Sequence, residues 1–594
     1  MRNYKMGKSK RSIRSTIYAM KLANQMAWRA NKAAFVLYFV VTVAMAGETY
    51  ISLSFTEYIV NAANDLASQS VSFRQVMTTI LFYTVAIVFF ALLAYSQNLI
   101  MNRLLLDLSY IFNKELNEKL SNIEWEYYEN HDTFLKIHEV RGNTLSKIES
   151  LVKDTMQYLF CIPTIIVYVY YLAQIQIFAV FLYIILVIMF NLMIAGKMFA
   201  QLGKLWKRVQ SFTQKQNYYF SICGDEITHQ EYKFLRLFPY ASGLWEKFYN
   251  EEYRMKLKIF KKHEITLQTA RLIFNLPYIF MMVFIGYEIM LGRHEIGFLI
   301  MANNLLNRII DTCLSLQQRM INDRVSSDFI YTWQDVLAFQ ESRRDSGNAL
   351  FEQITFHDVG YLYPQAEMYA LRQLNLTIKR GEKLAIVGVN GSGKTTFTNI
   401  LMGLTSRYEG GFDRGCTPVD IRDRISCIIQ DFAQYQMSIK ENISCGDPTR
   451  TFTDEQIWHL LDLVGLKQEI LNLPDGLDTQ LGQLEEGIEL SKGQWQRVAI
   501  ARLLAKERAE IWVLDEPTAY LDPISEIEIY NLIYKLSENK TVLFISHRLG
   551  FAKRADRILV FENGSIRESG THQELISQEG VYFELYKTQE KWYS

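Results

Sequence analysis

The stretch VMTTILFYTVAIVFFALLAYSQNLI, residues 76–100, contains no charged side chain. At about 1.5 Å of rise per residue, a helix of that length exceeds the roughly 30 Å hydrocarbon core of a bilayer. Lipid offers backbone amides no partners, so such a run enters a membrane as a helix. A second run, IFAVFLYIILVIMFNLMI at 177–194, is equally free of charge. Further apolar segments begin near Ala33, Met156, Leu272 and Ile296. With those near Val76 and Ile177 they predict six spans.

The third and fourth segments are separated by a few residues around Gln174, and the fifth and sixth by Gly292–Glu295, which predicts short outer turns. The connections at 102–155 and 197–271 are far longer and rich in Lys and Arg, so they belong in the cytoplasm. The N-terminus, MRNYKMGKSKRSIR, is also basic, and an even number of spans places both ends in the cytosol of a plasma or inner membrane. The small residues at Ala44–Gly47 mimic a cleavage site, but the apolar segment continues past them through YISLSF, against a signal peptide. Lys plus Arg and Asp plus Glu balance at 63 each, leaving no net positive field for a nucleic acid partner. Cys161, Cys223, Cys313, Cys416, Cys427 and Cys445 lie scattered, without the spacing of a metal site or a disulfide framework.

Around Ala338–Ala349 (AFQESRRDSGNA) the apolar runs stop. Beyond, the β-branched runs KLAIVG, SCIIQ, IWVLDE, TVLFISH and RILVFENG alternate with helical patterns, as in an α/β domain with a parallel sheet. The expected fold class is multidomain: an all-α transmembrane domain of six helices with long cytoplasmic extensions, then an α/β P-loop NTPase domain. The boundaries read from sequence are 1–32 for a basic N-terminal segment, 33–337 for the membrane domain, 338–349 for the linker and 350–594 for the NTPase domain.

The strand KLAIVG runs into GVNGSGKTT, a match to G-x-x-x-x-G-K-[ST] that opens a helix. Backbone amides of Gly388, Asn390, Gly391, Ser392, Gly393, Lys394, Thr395 and Thr396 are expected to face ATP phosphates, helped by the helix N-terminus. Lys394 is expected on the β and γ phosphates and Thr395 on Mg²⁺. IWVLDE ends an apolar strand in two carboxylates: Asp515 to help hold Mg²⁺, and Glu516 to polarise an attacking water.

LSKGQ at Leu490–Gln494 resembles the LSGGQ signature of ATP-binding cassette (ABC) transporters. Under that resemblance, Tyr363 in GYLYP looks like the aromatic that stacks on adenine, and Gln430 in IIQDF like the Q-loop glutamine and a Mg²⁺ ligand. Asp522 in AYLDP looks like the D-loop, and His547 in FISHRL like the switch histidine. The family further implies that Ser491 and Gly493 of one copy close over nucleotide held by Lys394 of another, with Gln494 also an ATP-binding residue. The expected assembly is therefore a pair of half-transporters, a homodimer because every motif is intact. Lys492 departs from the consensus glycine; it adds a cation beside the triphosphate without removing a contact, so activity is expected to survive.

Six spans followed by one cassette resemble the exporter type. Coupling helices are expected around Glu126–Phe134 (EYYENHDTF) and around His229–Lys233. Charges inside spans are candidate cavity residues: Glu48, Glu288, Arg308 and Asp311, with Asn303, Asn304 and Asn307 on the same segment as the last two. Arg308 and Asp311 stand three apart on one helical face, where they could pair with each other. Pro163 and Pro277 could kink their helices.

QDFAQYQMSIKENI at Gln430–Ile443 and SKGQWQR resemble bacterial exporters of modified antimicrobial peptides, lantibiotic and lasso-peptide exporters among them. A peptide cargo is the first reading. About 32 residues precede the first span, too few for the leader-cutting cysteine peptidase of some relatives, so no cleavage is expected. The alternatives are a multidrug or lipid exporter of the same build, an ATP-gated channel or regulator, and an importer on the exporter plan.

Overall fold

In the computed structural model the described residues are 13–174, 209, 211–222, 231–341, 352–364, 366–405, 407–413, 421–482, 487–518, 520–546 and 549–593. The chain divides into two compact units. One comprises Met1–Ser121 with Leu135–Ala338, the other Asn122–Phe134 with Phe339–Ser594.

The first part of the chain is helical: α1 (Ile13–Ala30), α2 (Lys32–Ala67), α3 (Phe73–Asn122), α4 (Glu126–Glu129), α5 (His131–Glu139), α6 (Leu145–Gln174), α7 (Phe238–Met290) and α8 (Ile296–Leu337). Local chemistry starts these helices. Asn31 caps α2 by accepting from the Ala34 N–H at 2.9 Å. Before α3, Gln75 Oε1 accepts from the Ser72 N–H while Ser72 Oγ accepts from the Gln75 N–H, which satisfies two otherwise orphaned donors.

Among the described residues, α2 and α3 are the helices long and apolar enough to cross a membrane. Only 6% of the apolar window of α3 is buried, against 28% in α2, so α3 turns most of its apolar surface outward. Leu81, Phe82, Val85, Val88, Phe89 and Leu92 are all exposed there, a surface that hydrocarbon accommodates and water does not. The segment starts expected near Met156, Leu272 and Ile296 fall in α6, α7 and α8. The one near Ile177 lies outside the described residues, as do most of the linker and part of the second coupling region. The helix α6 continues through Pro163.

A core of Leu53, Tyr168, Met281, Phe298, Met301 and Leu305 joins α2, α6, α7 and α8. Polar side chains cross between helices beside it. Tyr278 donates to Asn303 Oδ1 at 2.6 Å, and Arg308 donates to Ser52 Oγ at 2.9 Å and reaches Glu48 at 3.9 Å. The partner of Arg308 is therefore Glu48 on α2 and not Asp311, because interhelical packing brings a carboxylate closer than the neighbour on its own helix. Glu288 is held by Arg293 through two contacts of 2.9 and 3.0 Å at the end of α7.

The second unit contains a three-stranded antiparallel sheet and a six-stranded sheet. Its elements include β1 (Gln353–Tyr361), β2 (Leu371–Lys379), β3 (Lys383–Gly388), α9 (Lys394–Leu401), β4 (Glu409–Asp413), β5 (Ile425–Ile428), α10 (Lys492–Ala505), β6 (Ile511–Asp515), α11 (Pro523–Leu536), β7 (Thr541–Ile545), β8 (Arg557–Glu562) and β9 (Ser565–Gly570). The smaller sheet runs β2-β1-β4 and the larger β5-β6-β7-β3-β8-β9, parallel except for the β8–β9 pair. All five runs read from sequence as strands are strands of the larger sheet.

The core between the sheets gathers Phe356, Leu384, Ile386, Phe397, Val513, Leu543 and Phe561. Phe397, fully buried on α9, packs its ring at a tilt against Phe356 and Phe561, at ring distances of 5.2 and 5.6 Å. Emptying its site would cost about 3–5 kcal/mol, and this packing fixes α9 against the end of β3.

The segment Asn122–Phe134 belongs to this unit. Tyr127 stacks on Phe339 at 4.1 Å, and its hydroxyl accepts from the Gln340 N–H and from Arg407, each at 3.1 Å. The Arg407 N–H donates to Glu126 Oε1 at 3.1 Å, and Tyr361 donates to Glu129 Oε2 at 3.2 Å. The helix α4 is thereby seated on β1 and the approach to β4.

Candidate nucleotide site

Strand β3 lies between β7 and β8, so the loop leaving its carboxyl end emerges where neighbouring chain paths diverge. Glycine is required at both ends of that loop. Gly393 has φ 103°, and a Cβ there would meet the Ala370 carbonyl at 2.5 Å. At Gly388 a Cβ would stand 2.3 Å from the Phe561 carbonyl. Gly393 also precedes α9, whose first-turn amides open into the loop.

Lys394 is buried, and its ammonium donates to the carbonyls of Gly388 at 2.8 Å and Val389 at 3.0 Å. Burial lowers its pKa, while Asp515 and Glu516 oppose that shift. Ser392 is 2% exposed, and its Oγ has no partner. An orphaned hydroxyl in the glycine-bearing loop, next in sequence but one to a buried ammonium, fits a phosphate. Tyr363 exchanges a hydrogen bond of 3.0 Å with Thr396 Oγ1, and its ring meets Tyr361 edge-on at 4.9 Å. The aromatic is thus tied to the phosphate-loop helix. Thr395 is exposed on the first turn of α9.

Asp515 ends β6 almost fully buried. Burial, followed by the nearby Glu516 carboxylate, pushes its pKa up to about 6, with Lys394 pulling the other way. Asp431 adds to the upward push, so the segment carrying exposed Gln430 lies near Asp515. Glu516 adopts a left-handed φ of 48°, and its N–H donates to the Ile545 carbonyl at 3.0 Å. That conformation costs an ordinary residue about 1–3 kcal/mol and turns Glu516 off the strand line. Among the described residues no group of three His, Cys, Asp or Glu can hold a metal alone. The hard oxygens of Asp515 and Thr395 fit Mg²⁺ that takes its remaining ligands from phosphates and water.

Ser491 and Gln494 form a capping box at the start of α10: Ser491 Oγ accepts from the Gln494 N–H at 3.3 Å, and Gln494 Oε1 accepts from the Ser491 N–H at 2.8 Å. Gly493 lies in the first turn, against the backbone of Tyr520. Asp522 caps α11 by accepting from the N–H groups of Ile524 and Ser525 at 3.1 and 3.0 Å, and hydrogen bonds from Ser525, its side chain first and then its backbone, hold the Asp522 carboxyl below the usual range. His547 lies outside the described residues.

Gln496, its partner Tyr520 and Arg502 escaped the sequence reading. Gln496 is buried and spans from Glu516 to Tyr520, and Arg502 on α10 donates to Asn442 and the Ala433 carbonyl while lying 4.7 Å over the Tyr435 ring. Their signal was the polar pattern Q-W-Q-R-x₄-R on an otherwise buried helix.

Residues 371–519 match the family described as ABC transporter. The chain carries an ABC transporter domain. It is an ATP-binding domain whose ATPase activity is coupled to transport. The chain is 28% identical over 539 residues to the nisin transport ATP-binding protein of Lactococcus lactis subsp. lactis, covering 87% of this chain and 88% of that one. It is 27% identical to the subtilin transport ATP-binding protein of Bacillus subtilis, covering 80% and 79%. The structure of a bacterial Atm1-family ABC exporter with ATP bound superposes with a TM-score of 0.77 at 20% identity, covering 93% of this chain and 98% of that one. The fold is therefore that of an ABC exporter, a helical domain followed by an ABC nucleotide-binding domain.

Proposed function

We propose that two copies of this chain form an ATP-driven exporter that moves a peptide out of the cytoplasm. The observation that carries the cargo assignment is the similarity, along nearly the full chain, to transport proteins named for the peptides nisin and subtilin.

In this reading each nucleotide lies between two copies. Tyr363 stacks on the base, the amides from Gly388 to Thr396 bind the phosphates, and Lys394 leaves its carbonyl partners to neutralise the terminal ones. Asp515, Thr395 and Gln430 hold Mg²⁺, which when bound withdraws charge from the phosphate oxygens. Glu516 orients and polarises the attacking water, and His547 contacts the γ-phosphate. Ser491, Gly493 and Gln494 of the second copy close the site, with Asp522 at the seam. Both termini are cytoplasmic, α4 transmits the movement of the nucleotide domain, and Glu48, Glu288, Arg308 and Asp311 contribute polarity to the cargo path.

Inside-out vesicles carrying the chain alone test this reading. ATP with Mg²⁺ should drive uptake of lanthionine-bridged or other constrained peptides, and Lys394→Ala should abolish it. Uptake of lipophilic dye or labelled lipid with none of peptide would replace the cargo assignment, and movement in the opposite sense would reverse the direction.

A further inference from the structure

Three contacts tie the signature segment to the chain that follows Glu516. The Lys492 ammonium lies 5.3 Å over the ring of Tyr520. The Tyr520 N–H donates to Gln496 Oε1 at 3.0 Å. A Cβ on Gly493 would stand 3.3 Å from the Tyr520 carbonyl and 3.6 Å from Leu521, so the first turn of α10 lies directly on this segment. Gln496 is 1% exposed, and its Nε2 also donates to the Glu516 carbonyl at 3.4 Å. On its other side the Tyr520 ring meets Phe432 edge-on at 6.5 Å, two residues past Gln430.

These contacts converge on one backbone. Glu516 is held in its left-handed conformation from one side by Ile545 and from the other by the Gln496 amide. That same amide keeps its oxygen satisfied only while Tyr520 stays in place; otherwise a buried acceptor would lose its donor. Lys492 and Tyr520 are both exposed, so their contact secures the segment from outside while Gln496 secures it from within.

We propose that Lys492 is a positioning residue for ATP hydrolysis that acts through Tyr520, pinning residues 520–522 to α10 and thereby steadying the Glu516 backbone, and that it does not bind nucleotide. This rests on the reading of Glu516 as the group that polarises water. It assigns the lysine at the glycine position of the signature a place on its own chain.

The test is a double-mutant cycle on the full chain in lipid nanodiscs, reading kcat and KM for ATP. An exposed cation–π contact of this kind is expected to change kcat about two- to fivefold. Lys492→Ala and Tyr520→Ala should each lower kcat by that factor with KM for ATP unchanged, and the double variant should fall no further. Lys492→Arg and Tyr520→Phe retain cation and ring, and should leave kcat indistinguishable from that of the parent. Additive losses, or a rise in KM for ATP with Lys492→Ala that is independent of Tyr520, would overturn the proposal in favour of direct nucleotide contact. Glu516→Gln run alongside separates the two readings: retained hydrolysis there would remove the role of Glu516, whatever the cycle gives.

Discussion

Asp515 and Lys394 are opposite charges held out of water, and the nucleotide-free chain bears the cost. Unfolded aspartate titrates near 3.9, whereas burial raises Asp515 to about 6. A raised carboxyl makes the folded state bind its proton more tightly. The stabilisation that proton brings is complete below about pH 4 and fades as pH rises through 6, leaving an ionised carboxylate that costs roughly 3 kcal/mol. Asp515→Asn removes that cost. Without nucleotide it should melt above the parent at pH 7.5, with the gap shrinking as pH is lowered to 5. A gap independent of pH would show that Asp515 is not the group titrating. At this scale the phosphate loop was legible because its chemistry is contiguous in sequence. Gln496 and Tyr520 were not, since each matters through a partner some twenty residues away, and the Arg308–Glu48 pair joins positions on different helices.

At the scale of elements, α4 is short and is fixed by side chains rather than by helical propensity, with Tyr127 at the centre of its contacts. Tyr127→Ala removes the stack on Phe339 and two hydrogen bonds at once. Hydrolysis of ATP should persist while the amount of cargo moved per ATP falls several-fold. Equal losses in both would place Tyr127 in folding rather than in transmission. The parallel strands were readable because each is an apolar run ended by a turn. The antiparallel sheet was not: β1 alternates buried and exposed residues, carries His357 and Asp358 in its middle, and shifts register between Phe356 and Val359. Such a strand lacks the continuous apolar signal that marks a sheet buried on both faces.

At the scale of the whole molecule, the long apolar helix was legible where apolar residues run unbroken, as in α3. The helices α7 and α8 were less so, because each combines an apolar part with a long polar one. In the function proposed here, one chain's signature segment completes the nucleotide site of another. Lys394→Ala disables phosphate binding, and Gly493→Asp forces a charged side chain against the backbone of Tyr520 where the signature must close. Each variant alone should fail to occlude labelled ATP. Co-expressed and purified as mixed pairs, they contain one site built from an intact Lys394 and an intact signature, and occlusion of one nucleotide per mixed pair should return. Mixed pairs as inactive as either variant alone would contradict a site shared between two copies.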